Sequence, residues 1–292
     1  MRKRFVLSIS RRHTLEGYGF VLPWIVGFFA FMFVPLLRSL LFAFQEIKLD
    51  ARGLSSEWVG VRHFRYAFTV DVQFLPLLGD LALSMFVKLP LIIVFAVFIA
   101  LLLNRDMKGR LLFRGIFFLP VIVASGAVLS KLMTTGAAQL PLFRNPDTMV
   151  LLYQYVDRDI LVPLLEWADA LTLVMWDSGV QILIFIAGLQ TISPSLYEAA
   201  TCDGATAWES FWKITFPMIV PMIFVNVLFT IVHSFTSVNN EMVKHIKDMF
   251  FEQNNFGYSA AIGWIYFLFI FTLLAIVMLI FRRGLRQADA RG

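Results

Sequence analysis

Six stretches of this chain, near residues 18 to 44, 77 to 104, 114 to 133, 171 to 192, 217 to 238 and 257 to 281, are predominantly apolar over about 20 residues or more. A soluble fold has no use for so many runs of this length. Each matches the roughly 30 Å of hydrocarbon that a helix rising about 1.5 Å per residue must cross. In lipid the backbone has to satisfy its own hydrogen bonds, so each run is predicted to be a helix, and the alternating pattern of a transmembrane barrel is absent. Apolar residues make up 59% of the 292 and charged residues 15%. With a mean hydropathy of +0.76, this composition excludes an ordinary soluble domain. The expected fold class is all-α integral membrane with six transmembrane helices. The first run follows "MRKRFVLSISRR"; it is too long for a signal-peptide core and no small-residue cleavage site follows, so it reads as a retained span.

Lys and Arg placement predicts the orientation. Arg2, Lys3, Arg4, Arg11 and Arg12 precede the first run, Arg105, Lys108, Arg110 and Arg114 lie between the second and third, Lys213 precedes the fifth, and Arg282, Arg283, Arg286 and Arg291 follow the sixth. These short, basic flanks belong inside, which puts both termini in the cytoplasm and the chain in the cytoplasmic membrane. The loops at about 45 to 76, 134 to 170 and 239 to 256 then face outward. Within the second, Asp157, Arg158 and Asp159 interrupt an apolar stretch, and three adjacent charges at the centre of a span are costly, so it is read as an amphipathic surface segment. The organisation expected is a cytoplasmic segment 1–17, a first span and outer loop 18–76, a core 77–285 and a cytoplasmic tail 286–292. The net charge of +5 follows from the inside bias and calls for no nucleic-acid partner. Cys202, the single cysteine, cannot form an intramolecular disulfide, and no metal-ligand spacing surrounds it.

Between the fourth and fifth runs the chain turns polar: "SPSLYEAATCDGATAWESFWKITFP", residues 193 to 217. Ser193 and Pro194 form a helix start, with a capping oxygen and a φ already helical. Leu196, Tyr197, Ala199 and Ala200 predict a short helix with a small-residue side, broken at Gly204 by a reversal through positive φ. A second short helix carries Trp208, Phe211 and Trp212 on one face, and Pro217 starts the next span. Small alanines beside a lone acid suit docking in a partner's groove.

Glu198-Ala199-Ala200, then Gly204 after three residues, Ile214 after nine more, and Phe216-Pro217 resemble the EAA signature of permease subunits of ATP-binding cassette importers; Phe216 stands where the family has Leu. Asp203, the run "AGLQTISPSLYEAATCDGA", the loop "LLLNRDMKGRLLFRGIFFLP" and "NFGYSAAIGWIYFLFIF" are similar to the carbohydrate branch of maltose, glycerol-phosphate and oligosaccharide systems, and "LPWIVGFFAFMFVPLLRSLLFAF" to the first permease of such a pair. A Gly-Gly-Pro turn common after the fifth helix is replaced here by "SVNNEMVKHIKDMFFEQNN". The resemblance implies a type I importer permease in a heterodimer with a second permease, two ATPase subunits and an extracellular solute-binding protein. Glu198, Ala199, Ala200, Asp203, Gly204, Ile214 and Pro217 would couple this chain to an ATPase. The chain has no G-x-x-x-x-G-K-[ST] loop, so ATP and Mg are expected on the partner ATPase, with no cofactor, metal or catalytic residue here.

For the substrate, "MWDSGVQ" at the start of the fourth run offers a stacking ring and hydrogen-bonding groups in Trp176, Asp177, Ser178 and Gln181, which fit a sugar; Trp176 as an interface anchor and Asp177 in headgroup water is the other reading. Asp80 and Lys88, eight residues apart in the second run, are expected to meet other helices or snorkel, and His233 to bond across helices. An importer for a non-sugar solute and an ion-coupled secondary transporter are the alternatives; the second needs charged relays or internal repeats that the sequence does not show.

Overall fold

The computed structural model describes residues 9–50, 53–105, 109, 112, 115–116, 153–155, 157–237 and 240–289. Almost all of the third expected span, 114 to 133, and residues 134 to 152 of the long loop lie outside the described residues. The elements are α1 (Ile9–Phe28), a π-helical turn (Phe29–Phe33), α2 (Val34–Phe42), strands β1 (Gln45–Asp50) and β2 (Gly53–Trp58), α3 (Arg62–Thr69), α4 (Phe74–Asn104), α5 (Arg158–Asp177), α6 (Gly179–Gln190), α7 (Pro194–Cys202), α8 (Ala207–Ser210), a second π-helical turn (Phe211–Thr215), α9 (Phe216–Thr236), α10 (Glu241–Phe251) and α11 (Phe256–Asp289). Among the described residues, Gly17–Phe42, Phe74–Asn104, Ala207–Phe251 and Phe256–Arg282 are long and apolar enough to cross a membrane, and Gly179–Gln190 with Pro194–Cys202 adds a pair bent by 64°. Ala207–Phe251 exceeds one crossing; its α9 alone, at 21 residues, fits about 30 Å of hydrocarbon.

Both π turns end two residues before a proline. Val34 N–H reaches back to the Phe29 carbonyl ahead of Pro35, and Phe216 N–H to the Phe211 carbonyl ahead of Pro217. A proline ring collides with the carbonyl four residues earlier and offers no N–H to it; one widened turn lets the helix continue past both problems. Pro217 therefore does not begin a new helix, as expected, but sits inside one that runs from Ala207 to Thr236.

Three further expectations are corrected. The chain is not all-α, because residues 45 to 58 form an antiparallel hairpin in which Ile47 faces Ser56 and Gln45 faces Trp58. The period-two pattern of "QEIKLD" carried that signal. The helix of the fourth run begins before 171, because residues 158 to 170 are helical and continuous with it in α5. That span is itself broken at Ser178, whose hydroxyl donates to the Met175 carbonyl at 3.1 Å and so competes with the helical ladder.

The described chain divides into two compact units, residues 1–75 with 245–267, and 76–244 with 268–292. In the first, the Asp71 carboxylate holds the packing together. Its Oδ1 accepts from the N–H groups of Gln73 (2.8 Å) and Phe74 (3.1 Å), closing the start of α4. Its Oδ2 accepts from His245 Nε2 at 3.0 Å and from the Tyr258 hydroxyl. Burial alone would push this carboxyl up, but the bonds from Tyr258, Gln73, His245 and Phe74 outweigh it and hold it below the usual carboxylate range. Tyr66 meets the Tyr258 ring edge to face, with centroids 5.0 Å apart.

At the start of α11, Gly257 lies so close to the hairpin that a Cβ would overlap the backbone oxygen of Gln45 and press on His63 Nε2. Backbone cannot yield as a flexible side chain can, so Gly257→Ala is expected to cost about 3 kcal/mol, the upper end for overpacking. A fall in melting temperature with accelerated hydrogen exchange in 45 to 69 would show it.

His63 is 7% exposed and bonds to the Gln45 carbonyl at 3.1 Å. Burial pushes its imidazole below the usual range, the Gln45 bond and Glu46 oppose this, and Arg62 adds to it. A base with a folded pKa below its unfolded value binds fewer protons folded, so stability rises with pH. The hairpin unit is expected to loosen as pH falls below about 6.5. Hydrogen exchange over 45 to 69 at pH 7.5 and 5.5 tests this, with the difference smaller in His63→Gln.

The core of the second unit lies where α6 packs on α9. Ile182, Phe185, Ile186 and Leu189 on α6, and Ile219, Val227, Ile231 and Phe235 on α9, are buried.

Candidate functional site

The polar segment 193 to 217 folds as two capped helices around one turn. α7 begins with Pro194 in its first turn; Ser193 is extended, but its hydroxyl lies 2.8 Å from that of Ser195 and caps no N–H. α7 ends as a Schellman motif: Ala205 N–H reaches the Ala200 carbonyl at 2.9 Å and Gly204 N–H the Thr201 carbonyl at 3.1 Å. Gly204 has φ +78°, where any Cβ is strained. α8 begins with a reciprocal capping box. Thr206 Oγ1 accepts from Glu209 N–H at 3.3 Å, and a Glu209 oxygen accepts from Thr206 N–H at 2.9 Å. The sequence "TAWE" carries that signal. Glu209 also pairs with Lys213 at 3.6 Å.

The resulting surface is open on one side. Glu198, Ala199, Asp203 and Gly204 are exposed, and Ala200, Ile214 and Pro217 are half-buried. The aromatic residues form a separate cluster. Trp208 meets Trp212 edge to face at 5.6 Å, and Trp212 continues to Phe216 at 5.0 Å, with Trp208 still 69% exposed. The site thus presents a small, acidic helix beside an aromatic patch. Among the described residues no group of three or more His, Cys, Asp or Glu could hold a metal ion.

The four residues named for a solute pathway separate. Trp176 and Asp177 are half-buried at the end of α5, and Asp177 lies within electrostatic reach of His233 on α9 and Lys88 on α4. Spacing along one helix could not bring these three together. Ser178 and Gln181 are fully buried. Gln181 Nε2 donates to Thr230 Oγ1 at 2.9 Å, Thr230 donates to the Asn226 carbonyl at 2.7 Å, and Asn226 Nδ2 reaches the Gln181 carbonyl at 3.4 Å. Asn226 and Thr230 were not singled out from the sequence. Nothing in their spacing within a continuous apolar run marks them; only the packing of α6 on α9 does.

The chain is thus a multi-pass membrane protein with a capped helix-turn-helix between two of its apolar helices. The chain is a member of the family described as binding-protein-dependent transport system inner membrane component, whose pattern it matches over residues 82–287. It is 33% identical over 230 residues to the probable ABC transporter permease protein YesP of Bacillus subtilis, covering 77% of this chain and 72% of that one. It is 28% identical over 286 residues to the polygalacturonan/rhamnogalacturonan transport system permease protein YteP of the same organism, covering 90% and 85%. A solved bacterial ABC transporter involved in the import of the acidic polysaccharide alginate shares its fold, with a TM-score of 0.61, 22% identity, and 94% and 97% of the two chains covered.

Proposed function

We propose that this chain is the carbohydrate-translocating permease subunit of an ATP-driven importer, moving a sugar or oligosaccharide handed over by an extracellular solute-binding protein. The family match and the run of oligosaccharide permeases among its relatives support the cargo class; the exposed, doubly capped loop 193 to 217 supports the coupling role. In this reading Glu198 is a charged anchor, Ala199 and Ala200 permit close approach to an ATPase groove, Gly204 with Asp203 sets the turn, and Ile214 and Pro217 join the loop to α9. Closure of two ATPase subunits around ATP and Mg displaces the loop and biases the membrane helices between inward-open and outward-open states. A second permease completes the pathway, to which Trp176 and Asp177 contribute. Six spans with both termini inside complete the topology.

The test is to tag the chain at its C-terminus, extract it gently and identify stoichiometric partners by mass spectrometry. A P-loop ATPase and a second permease are expected. Oligosaccharides are then screened, each with the binding protein, for stimulation of ATP hydrolysis. A chain that purifies alone and moves solute in vesicles without ATP would make it a secondary transporter instead.

A further inference from the structure

Three contacts step away from the loop along α6 and α9. At its base, the Tyr197 hydroxyl and Thr215 Oγ1 stand 2.8 Å apart, with Thr215 buried. Farther on, Gly188 fits against Met222 so closely that a Cβ would overlap the Met222 side chain. Beyond that lies the polar rung of Gln181, Thr230 and Asn226. From 188 to 181 on α6 and from 222 to 230 on α9 the steps are nearly equal, so these two helices run antiparallel in a single register; Tyr197 joins them from α7, across the 64° bend.

The chemistry of the far rung fixes that register. Thr230 has one hydroxyl proton, committed to the Asn226 carbonyl, so toward Gln181 it can only accept. The Gln181 amide must therefore point its NH2 at Thr230; flipped, two acceptors would face each other. Gln181 and Asn226 are 0% exposed and Thr230 1%. The rung is buried and the side-chain oxygens of Gln181 and Asn226 have no partner there among the described residues, so sliding α6 along α9 would break the Gln181–Thr230 bond with no buried acceptor already bonded to that amide to replace it.

We propose that Gln181 and Thr230, supported by Asn226, are positioning residues of the transport cycle: they lock α6 to α9, so that a displacement received at the loop is delivered as one rigid lever to the far end of both helices. This rests on the coupling role of 193 to 217 proposed above. It moves Gln181 from a solute contact to a mechanical one.

The test uses the permease pair with its ATPases in proteoliposomes, MgATP with vanadate as the probe, and a maleimide reacting with Met175→Cys, an exposed position on α5, in a Cys202→Ala background. In this parent, nucleotide is expected to change the labelling rate. In Gln181→Met and Thr230→Val the nucleotide-driven change falls about three- to ten-fold. In Thr230→Ser, which keeps the hydroxyl, it is retained. A purely structural rung would lower the melting temperature of Gln181→Met and Thr230→Val and leave their response to nucleotide intact, overturning the proposal. Gly204→Val separates the two readings. If it abolishes the response while Gln181→Met and Thr230→Val keep it, the lever is overturned and the coupling loop stands. If Gly204→Val also responds normally, or the parent shows no response, the coupling reading fails and the lever with it.

Discussion

Asp71→Ala is expected to destabilise the hairpin unit by about 3–5 kcal/mol, the range for stripping one partner from a buried charged network. Four donors lose their acceptor at once: two backbone N–H groups at the start of α4, His245 Nε2 and the Tyr258 hydroxyl. The side chains of His245 and Asp71 are only 6% and 8% exposed, so water does not readily replace the lost bonds. The contacts that fail join residues 174 and 187 positions apart, so the damage spreads from residues 62 to 74 into 245 to 259. Hydrogen exchange over both segments, with yield of folded protein, is the measurement. Asp71→Asn keeps an acceptor for some of these donors and is expected to cost clearly less; equal loss in the two variants would show that charge, rather than hydrogen bonding, holds the unit.

Gly204→Val is expected to lower ATP-driven uptake by about ten-fold or more while leaving membrane insertion unchanged. The effect does not come from crowding, since a Cβ at this position meets nothing within 4 Å. It comes from φ +78°, a conformation that costs an ordinary L residue about 1–2 kcal/mol and a β-branched one more. Relief requires the turn to open, which breaks the Ala205 to Ala200 and Gly204 to Thr201 bonds and re-aims Glu198 and Ala199. About 1.4 kcal/mol of misalignment is already ten-fold in the docked population. Uptake and ATP hydrolysis are measured together in the assembled importer. Hydrolysis that persists while uptake falls is the expected pattern; normal uptake would remove the coupling role from this loop.

The loop was legible in the sequence because its determinants are local. Pro194 at a helix start, Gly204 at positive φ and the Trp208, Phe211 and Trp212 grouping each depend on residues within one or two turns. The capping box of Thr206 and Glu209 was equally local and could have been read. Pro217 misled because proline signals a helix start or a break, and a π turn that absorbs it is written nowhere in the neighbouring residue types.

By itself the sequence determined the solvent this chain folds in, the apolar helices, the polar loop between two of them and the family signature that loop carries, because hydropathy, turn chemistry and motif spacing are properties of contiguous residues. Only the tertiary structure decided that Asp71 binds His245 and Tyr258, that Asp177 shares a neighbourhood with Lys88 and His233, and that Gln181 answers Thr230 rather than open space. Such pairings join residues tens to nearly two hundred positions apart. A buried polar group is silent in an apolar run until packing shows which donor meets which acceptor.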